Sequence, residues 1–172
     1  MKALLVAEPS APGLPYIGNV ISEVNAVAAV LPSTSILSII GDLDNTVGNT
    51  AGGIGVTMEA LIQPLASANI LHLACHGQQD PDDALKSGFC LRDGKLTVAQ
   101  LMKLNLPNAY LAFLSACETA KGDAEQPDQV VHLAAAMMFV GFKSIVGTMW
   151  YVCFDHTCFL IDAYGDRQGD GR

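Results

Sequence analysis

The sequence contains few positive charges. It has 9 Lys and Arg residues against 17 Asp and Glu, which gives a formal net charge of −8 at pH 7 and a pI near 4.7. Proteins that bind a nucleic-acid backbone depend on clustered cations, and no basic stripe occurs along this chain. We therefore expect no nucleic acid among its partners.

Long apolar runs and paired cysteines are also missing. Pro, Asp, Asn or Gly interrupts every apolar run before the ~18 residues that a membrane span needs. Ala3 to Ala7 after Lys2 resembles the start of a signal peptide, but Glu8 and Pro9 end that run early. The 5 cysteines are odd in number and show no CxxC spacing, which favours reduced thiols. We expect a cytoplasmic protein without a membrane partner.

Apolar residues, by contrast, are abundant. They make up 51% of the chain against 15% charged residues, and the mean hydropathy is +0.35. Such a composition excludes intrinsic disorder. A chain of 172 residues suits one domain that buries about 70% of its unfolded surface. Much of the sequence must therefore lie in a core.

Short apolar runs alternate with segments of helical periodicity. The runs predict strands over 3–7, 35–40, 70–75, 110–116 and 144–149, and the periodic segments predict helices over 20–31, 56–66, 97–104 and 129–140. A small hairpin over 88–95 and a surface loop over 41–55 complete the pattern, with Thr97 as a helix N-cap and Gly141 after the last helix. This order predicts an α/β fold, a mostly parallel sheet with helices on both faces.

Two predicted strands are followed by side chains that can take part in catalysis. The third strand leads into His76 and Gly77, and the fourth leads into Cys117 and Glu118. In open parallel sheets, functional groups collect beyond the carboxyl ends of the strands. We therefore expect His76 and Cys117 to meet at one edge of the sheet.

A cysteine beside a histidine suits acyl transfer. A thiol with a pKa of about 8.5 is only slightly ionised at neutral pH, and an imidazole can activate it and then protonate a leaving amine. The amides of Gly77 and Cys117 are candidates for an oxyanion hole, a device that contributes about 3 kcal/mol. His72, inside the strand, is interpreted as a core histidine, and Cys75 and Cys90 as small apolar core residues.

Several stretches resemble the CHAT domain, a caspase-like cysteine peptidase module related to separases, particularly in its fungal members. They read LACHG at 73–77, LSACETA at 114–120, VHLAA at 131–135 and SIVGTMW at 144–150, and the likeness covers roughly 4–150 in order. The resemblance implies a caspase-like three-layer fold with His76 as the dyad histidine and Cys117 as the nucleophile. It also implies a cysteine endopeptidase that cleaves protein or peptide substrates without a cofactor and works with a tetratricopeptide-repeat region or partner protein.

The likeness weakens after Trp150. We interpret residues 1–152 as the CHAT domain and 153–172 as a divergent tail, as expected of a truncated family member. The alternative to a peptidase is therefore an inactive CHAT module that serves as a protein-interaction or regulatory domain. Relative alkylation rates of Cys117 and the other thiols would separate the two interpretations.

Acidic residues follow the candidate nucleophile. Glu118 either contacts substrate or supplies a helix N-terminal charge. Asp123 and Glu125 lie in an acidic loop, which is either simply solvated or favours a basic substrate residue by charge complementarity. A zinc site built from Cys153, His156 and Cys158 would lack a second ligand pair of the usual spacing. We expect no metal.

Overall fold

The structure, a computed structural model, describes residues 1–41, 55–80, 82–116 and 130–147. Its strands are β1 Ala3–Ala7, β2 Ile36–Ile40, β3 Ile70–Ala74, β4 His76–Gln78, β5 Gly88–Leu91, β6 Gly94–Thr97, β7 Leu111–Ser115 and β8 Ser144–Gly147. Its helices are α1 Val20–Val30, α2 Met58–Leu65, α3 Val98–Leu101 and α4 Val130–Phe139. The predicted α/β order is thereby confirmed.

A five-stranded parallel sheet forms the centre, in the order β2-β1-β3-β7-β8. Strand β3 lies in the middle, where His72 pairs with Leu5 on one side and with Phe113 on the other. Every residue of β1 is buried, as its unbroken apolar run predicts for a strand covered on both faces. The carboxyl ends of β1, β3 and β7 therefore lie side by side.

One face of the sheet packs against α1. Leu5 and Ala7 of β1 and Ala74 of β3 form a small cluster with Val20 and Val24 of the helix. Alternate residues of a strand point to the same face, and helix residues four apart lie on the same side of the helix. The apolar residues on this face of the sheet can therefore pack against the apolar side of α1. This packing makes α1 one outer layer.

The opposite face carries the larger core. Leu4, Val6, Leu71, Leu73, Ala112 and Leu114 point to this side and pack against apolar residues of α2, α3, α4 and the β5–β6 strands. Helices thus cover both faces of the sheet, and the architecture is the three-layer arrangement of a caspase-like fold.

A second, antiparallel sheet adjoins this core, in the order β4-β5-β6. The predicted hairpin is confirmed as β5 and β6, but β4 was not predicted, because three residues are too few to show a period. His76 and Gly77 therefore lie on a strand that pairs with Cys90 and Phe89, rather than in a loop.

Two predicted helix ends are confirmed by their local geometry. Thr97 caps α3 through a reciprocal capping box, in which its side chain accepts from the Gln100 amide and the Gln100 side chain accepts from the Thr97 amide. Gly141 follows α4 with φ of +127°, and a Cβ there would stand 2.6 Å from the carbonyl oxygen of Leu106. Glycine is required at that position.

Some predictions fall outside the described residues. They include most of the loop at 41–55 and the last two residues of the predicted strand at 144–149. The division of the chain at residue 152 stays a prediction for the same reason.

Candidate active site

The ends of β3 and β7 meet beside Gly77. A Cβ on Gly77 would stand 3.0 Å from the carbonyl oxygen of Ala116 and 3.6 Å from Cδ1 of Leu133 on α4. Gly77 directly follows His76, and Ala116 directly precedes Cys117. The structure therefore brings the residue after His76 into contact with the residue before Cys117. Cys117 itself lies outside the described residues.

His76 is held in one orientation by a backbone carbonyl. Its side chain is buried, and Nε2 lies 2.6 Å from the carbonyl oxygen of Pro15. A carbonyl oxygen can only accept a hydrogen bond, so Nε2 must carry the proton. In the neutral imidazole, Nδ1 then bears the lone pair and can act as a base.

The loop that presents Pro15 is closed by its own hydrogen bonds. The amide of Ile17 donates to the Pro9 carbonyl over 2.9 Å, and the amide of Leu14 donates to the Ala11 carbonyl over 3.1 Å. Gly13 takes a positive φ of +77° within this turn, a conformation that glycine adopts without strain. The sequence of this segment carried no signal that the Pro15 carbonyl would meet a histidine.

The remaining predicted site residues are Cys117, Glu118, Asp123 and Glu125. All four lie outside the described residues, so their roles stay predictions. Of the predicted oxyanion pair, Gly77 is buried on β4 at the contact with Ala116. The Cys117 amide, its predicted partner, belongs to the part of the chain that is not described.

A partly buried polar cluster links α1 with β3 and β7. The Glu23 carboxylate accepts a hydrogen bond from His72 Nε2 over 2.9 Å and another from the Ser115 hydroxyl over 3.0 Å. The His72 ring also contacts the Phe113 ring, with centroids 4.8 Å apart. His72 is thus confirmed as a core histidine with a satisfied partner.

Glu23 and Ser115 were missed by sequence reasoning. A single Glu on an amphipathic helix is usually solvated, and its sequence neighbours gave no sign of a buried partner. Because the carboxylate stands between the hydroxyl and the imidazole, each bonded to its own oxygen, His72 is not placed to act as the base of Ser115. The cluster connects the strands that lead to His76 and Cys117.

Asp80, two residues after β4, accepts hydrogen bonds from two backbone amides. The backbone amide of Asp83 is the largest cause that lowers the pKa of Asp80 below its usual 3.8, partial desolvation opposes it, and the Asp82 amide adds to the lowering. Both amides donate to Oδ1, over 2.9 and 3.1 Å. Asp80 therefore stays ionised and holds the loop that leads toward β5.

The cysteines of the described residues lie in the core. Cys75 is 1% exposed and Cys90 is 6% exposed, which confirms their interpretation as core positions. No group of three or more His, Cys, Asp or Glu within the described ranges is arranged to hold a metal ion. None of the helices in that part of the chain is long and apolar enough to cross a membrane.

Comparison with known proteins identifies the family. A model of the CHAT domain family matches residues 1–164 of the 172-residue chain. A search of curated proteins finds no match. The family match runs through His76, Gly77 and Cys117 and covers nearly the whole length. The chain therefore belongs to the CHAT domain family.

Proposed function

We propose that this CHAT domain is a cysteine endopeptidase that uses Cys117 as nucleophile and His76 as general base and acid. One observation carries the proposal. The Pro15 carbonyl holds the proton of His76 on Nε2, which leaves Nδ1 as the basic nitrogen, and the adjacent Gly77 touches Ala116, the neighbour of Cys117.

The proposed reaction has two acyl-transfer steps. His76 takes the proton of the Cys117 thiol, the thiolate attacks the scissile carbonyl carbon, and the tetrahedral intermediate collapses as His76 protonates the leaving amine. The resulting thioester is hydrolysed by a water from which His76 removes a proton, which releases the acid product and regenerates the thiol. No cofactor takes part.

Backbone amides are proposed to stabilise the negative oxygen of the intermediate. Gly77 and Cys117 each supply one N–H group in this scheme, and the absence of a side chain at Gly77 lets a substrate carbonyl approach. Glu118, Asp123 and Glu125 are proposed to favour a basic residue next to the cleaved bond. A tetratricopeptide-repeat region or partner protein is proposed to present the substrate.

The test compares the native chain with Cys117→Ala on a proteome-derived peptide library, with cleavage sites mapped by mass spectrometry. Cleavage that disappears in Cys117→Ala is the expected result, together with a preference for Lys or Arg at the cleaved bond. Thr97→Ala is the control, because it removes the helix cap of α3 away from His76, and it should retain cleavage.

The same comparison can contradict the proposal. Identical product patterns from the native chain and Cys117→Ala would exclude peptidase activity through this residue. That result would favour the alternative, a CHAT module that acts by binding other proteins.

A further inference from the structure

A buried carboxylate lies at the end of β1, next to the strand that leads into His76, and takes no part in the proposed reaction. Glu8 directly follows β1 and is fully buried. Its backbone amide donates to the carbonyl oxygen of Ala74 over 2.9 Å, two residues before His76. Glu8 is thus attached to the end of β3, the strand that leads into His76.

The side chain of Glu8 holds two irregular segments. Oε1 accepts a hydrogen bond from the Ser10 amide over 3.0 Å, and Oε2 accepts one from the Val56 amide over 2.7 Å. Charge-assisted bonds from backbone amides offset the loss of water around a buried carboxylate. The Ser10 contact secures the beginning of the loop that presents Pro15.

Gly41 also lies close to this carboxylate. A Cβ on Gly41 would stand 2.9 Å from Oε2 of Glu8, and the Gly41 amide donates to the Ala7 carbonyl over 2.8 Å. The carboxylate therefore lies in a close-fitting position between the ends of β1 and β2.

We propose that Glu8 is a positioning residue for His76. Its backbone amide holds the end of β3, which leads into His76, and its carboxylate holds the beginning of the loop that carries the Pro15 carbonyl, so both partners of the His76–Pro15 hydrogen bond depend on it. Glu8 thereby keeps the imidazole in the tautomer that has its proton on Nε2. The consequence for catalysis rests on the proposed function, whereas the effect on the tautomer does not.

The experiment reads the tautomer directly, by ¹⁵N NMR of the histidine side chains in the full chain. In Glu8→Gln, an amide NH₂ replaces one carboxylate oxygen and faces one of the two backbone N–H donors, so the side chain can no longer hold both Ser10 and Val56. We expect the native chain to show His76 with its proton on Nε2 and Glu8→Gln to show a mixture of the two tautomers.

A second variant keeps the charge of Glu8. Gly41→Ala places a methyl group 2.9 Å from Oε2 and should displace the carboxylate, with the same effect on the His76 signals. Thr97→Ala is the control, because it removes a helix cap at α3 that touches neither Glu8 nor the Pro15 loop. It should destabilise the protein while the His76 signals stay native.

The outcomes separate a positioning role from a structural one. Native His76 signals in a folded Glu8→Gln protein would overturn the proposal, and if that variant does not fold, native signals in Gly41→Ala would do the same. If the chain cleaves peptides, Glu8→Gln should lower kcat on the order of 10-fold, as misplaced catalytic groups do, with KM little changed. If the native chain proves inactive, the tautomer shift still tests Glu8 while the proposed function fails.

Discussion

Gly77 and Ala116 lie in contact across the edge of the sheet, so close that a Cβ on Gly77 would stand 3.0 Å from the Ala116 carbonyl oxygen. The two residues are neighbours in sequence of His76 and Cys117 respectively. Their contact exists because β3 and β7 are adjacent parallel strands in register, with Ala74 opposite Ser115. Two segments that are far apart in the sequence are thereby brought to one point.

Gly77→Ala should lower both stability and activity. The added methyl group meets a backbone carbonyl at 3.0 Å, so residue 116 must shift by a few tenths of an ångström. We expect a loss of about 1 kcal/mol in the free energy of unfolding and a fall in kcat/KM on the order of 10-fold, measured by urea denaturation and peptide cleavage.

Gly147→Ala is the matched control for that prediction. Gly147 lies on β8, and a Cβ there would have none of the described residues within 4 Å. It should change stability by less than about 0.5 kcal/mol and leave cleavage native. Equal behaviour of the two alanine variants would show that the Gly77 contact is unimportant.

The reactivity of the Cys117 thiol should depend on His76. Cys75 and Cys90 are buried, so a faster reaction of Cys117 than of these two would reflect accessibility as well as activation. The sharper comparison is the alkylation rate of Cys117 at neutral pH in the native chain and in His76→Ala. We expect a marked decrease in the variant, because the thiolate fraction falls when the imidazole is removed.

Mass spectrometry of the labelled peptides measures that rate at each cysteine separately. Thr97→Ala, which is destabilised away from the site, controls for partial unfolding. An unchanged Cys117 rate in His76→Ala would contradict the proposed dyad.

Removal of the Glu23 carboxylate should destabilise the protein. In Glu23→Ala, buried His72 and partly buried Ser115 each lose a partner, and an unsatisfied buried polar group costs about 1–3 kcal/mol. The Glu23 side chain is 21% exposed, so water can replace part of the interaction and we expect the lower end, about 1 kcal/mol. Urea denaturation measures the difference.

A double-mutant cycle with Ser115→Ala isolates the contact between the two residues. The combined variant should lose less stability than the sum of the two single variants, since they share one hydrogen bond. Glu59→Ala, at an exposed carboxylate in the first turn of α2, is the control. Strict additivity would show that the Ser115–Glu23 bond contributes nothing.

The contribution of the Asp80 carboxylate to the stability of the fold should vanish in acid. Because backbone hydrogen bonds from Asp83 and Asp82 lower its pKa in the folded state, the ionised form stabilises the fold above the ordinary pKa of 3.8. That stabilisation is lost as the pH falls through the lowered pKa. Asp80→Asn should therefore be less stable than the native chain at neutral pH, and the gap should close below pH 3.8.

Thermal unfolding of the native chain and of Asp80→Asn across the acid range tests the direction of this pH dependence. Asp82→Asn is a suitable control, because Asp82 takes part through its backbone amide, which the substitution keeps. A gap between native and Asp80→Asn that widens in acid would contradict the assignment.

Much of the fold follows from local patterns. The apolar run at Ala3–Ala7, the helical period from Val20 and the capping signal at Thr97 each involve residues within a few positions of one another, so they can be recognised along the chain. Strand β4 escaped this reasoning because three residues show no period. Its pairing with β5 depends on residues ten to fourteen positions away.

The sequence by itself determined the α/β order, the family and the arrival of His76 at a strand end, because periodicity and motifs depend on near neighbours. Only the tertiary structure decided which groups those residues meet. Pro15 lies 61 positions from His76, and Glu23 lies 49 positions from His72 and 92 from Ser115. Hydrogen bonds between such distant groups arise from the order and register of the strands, which leave no periodic trace in the chain.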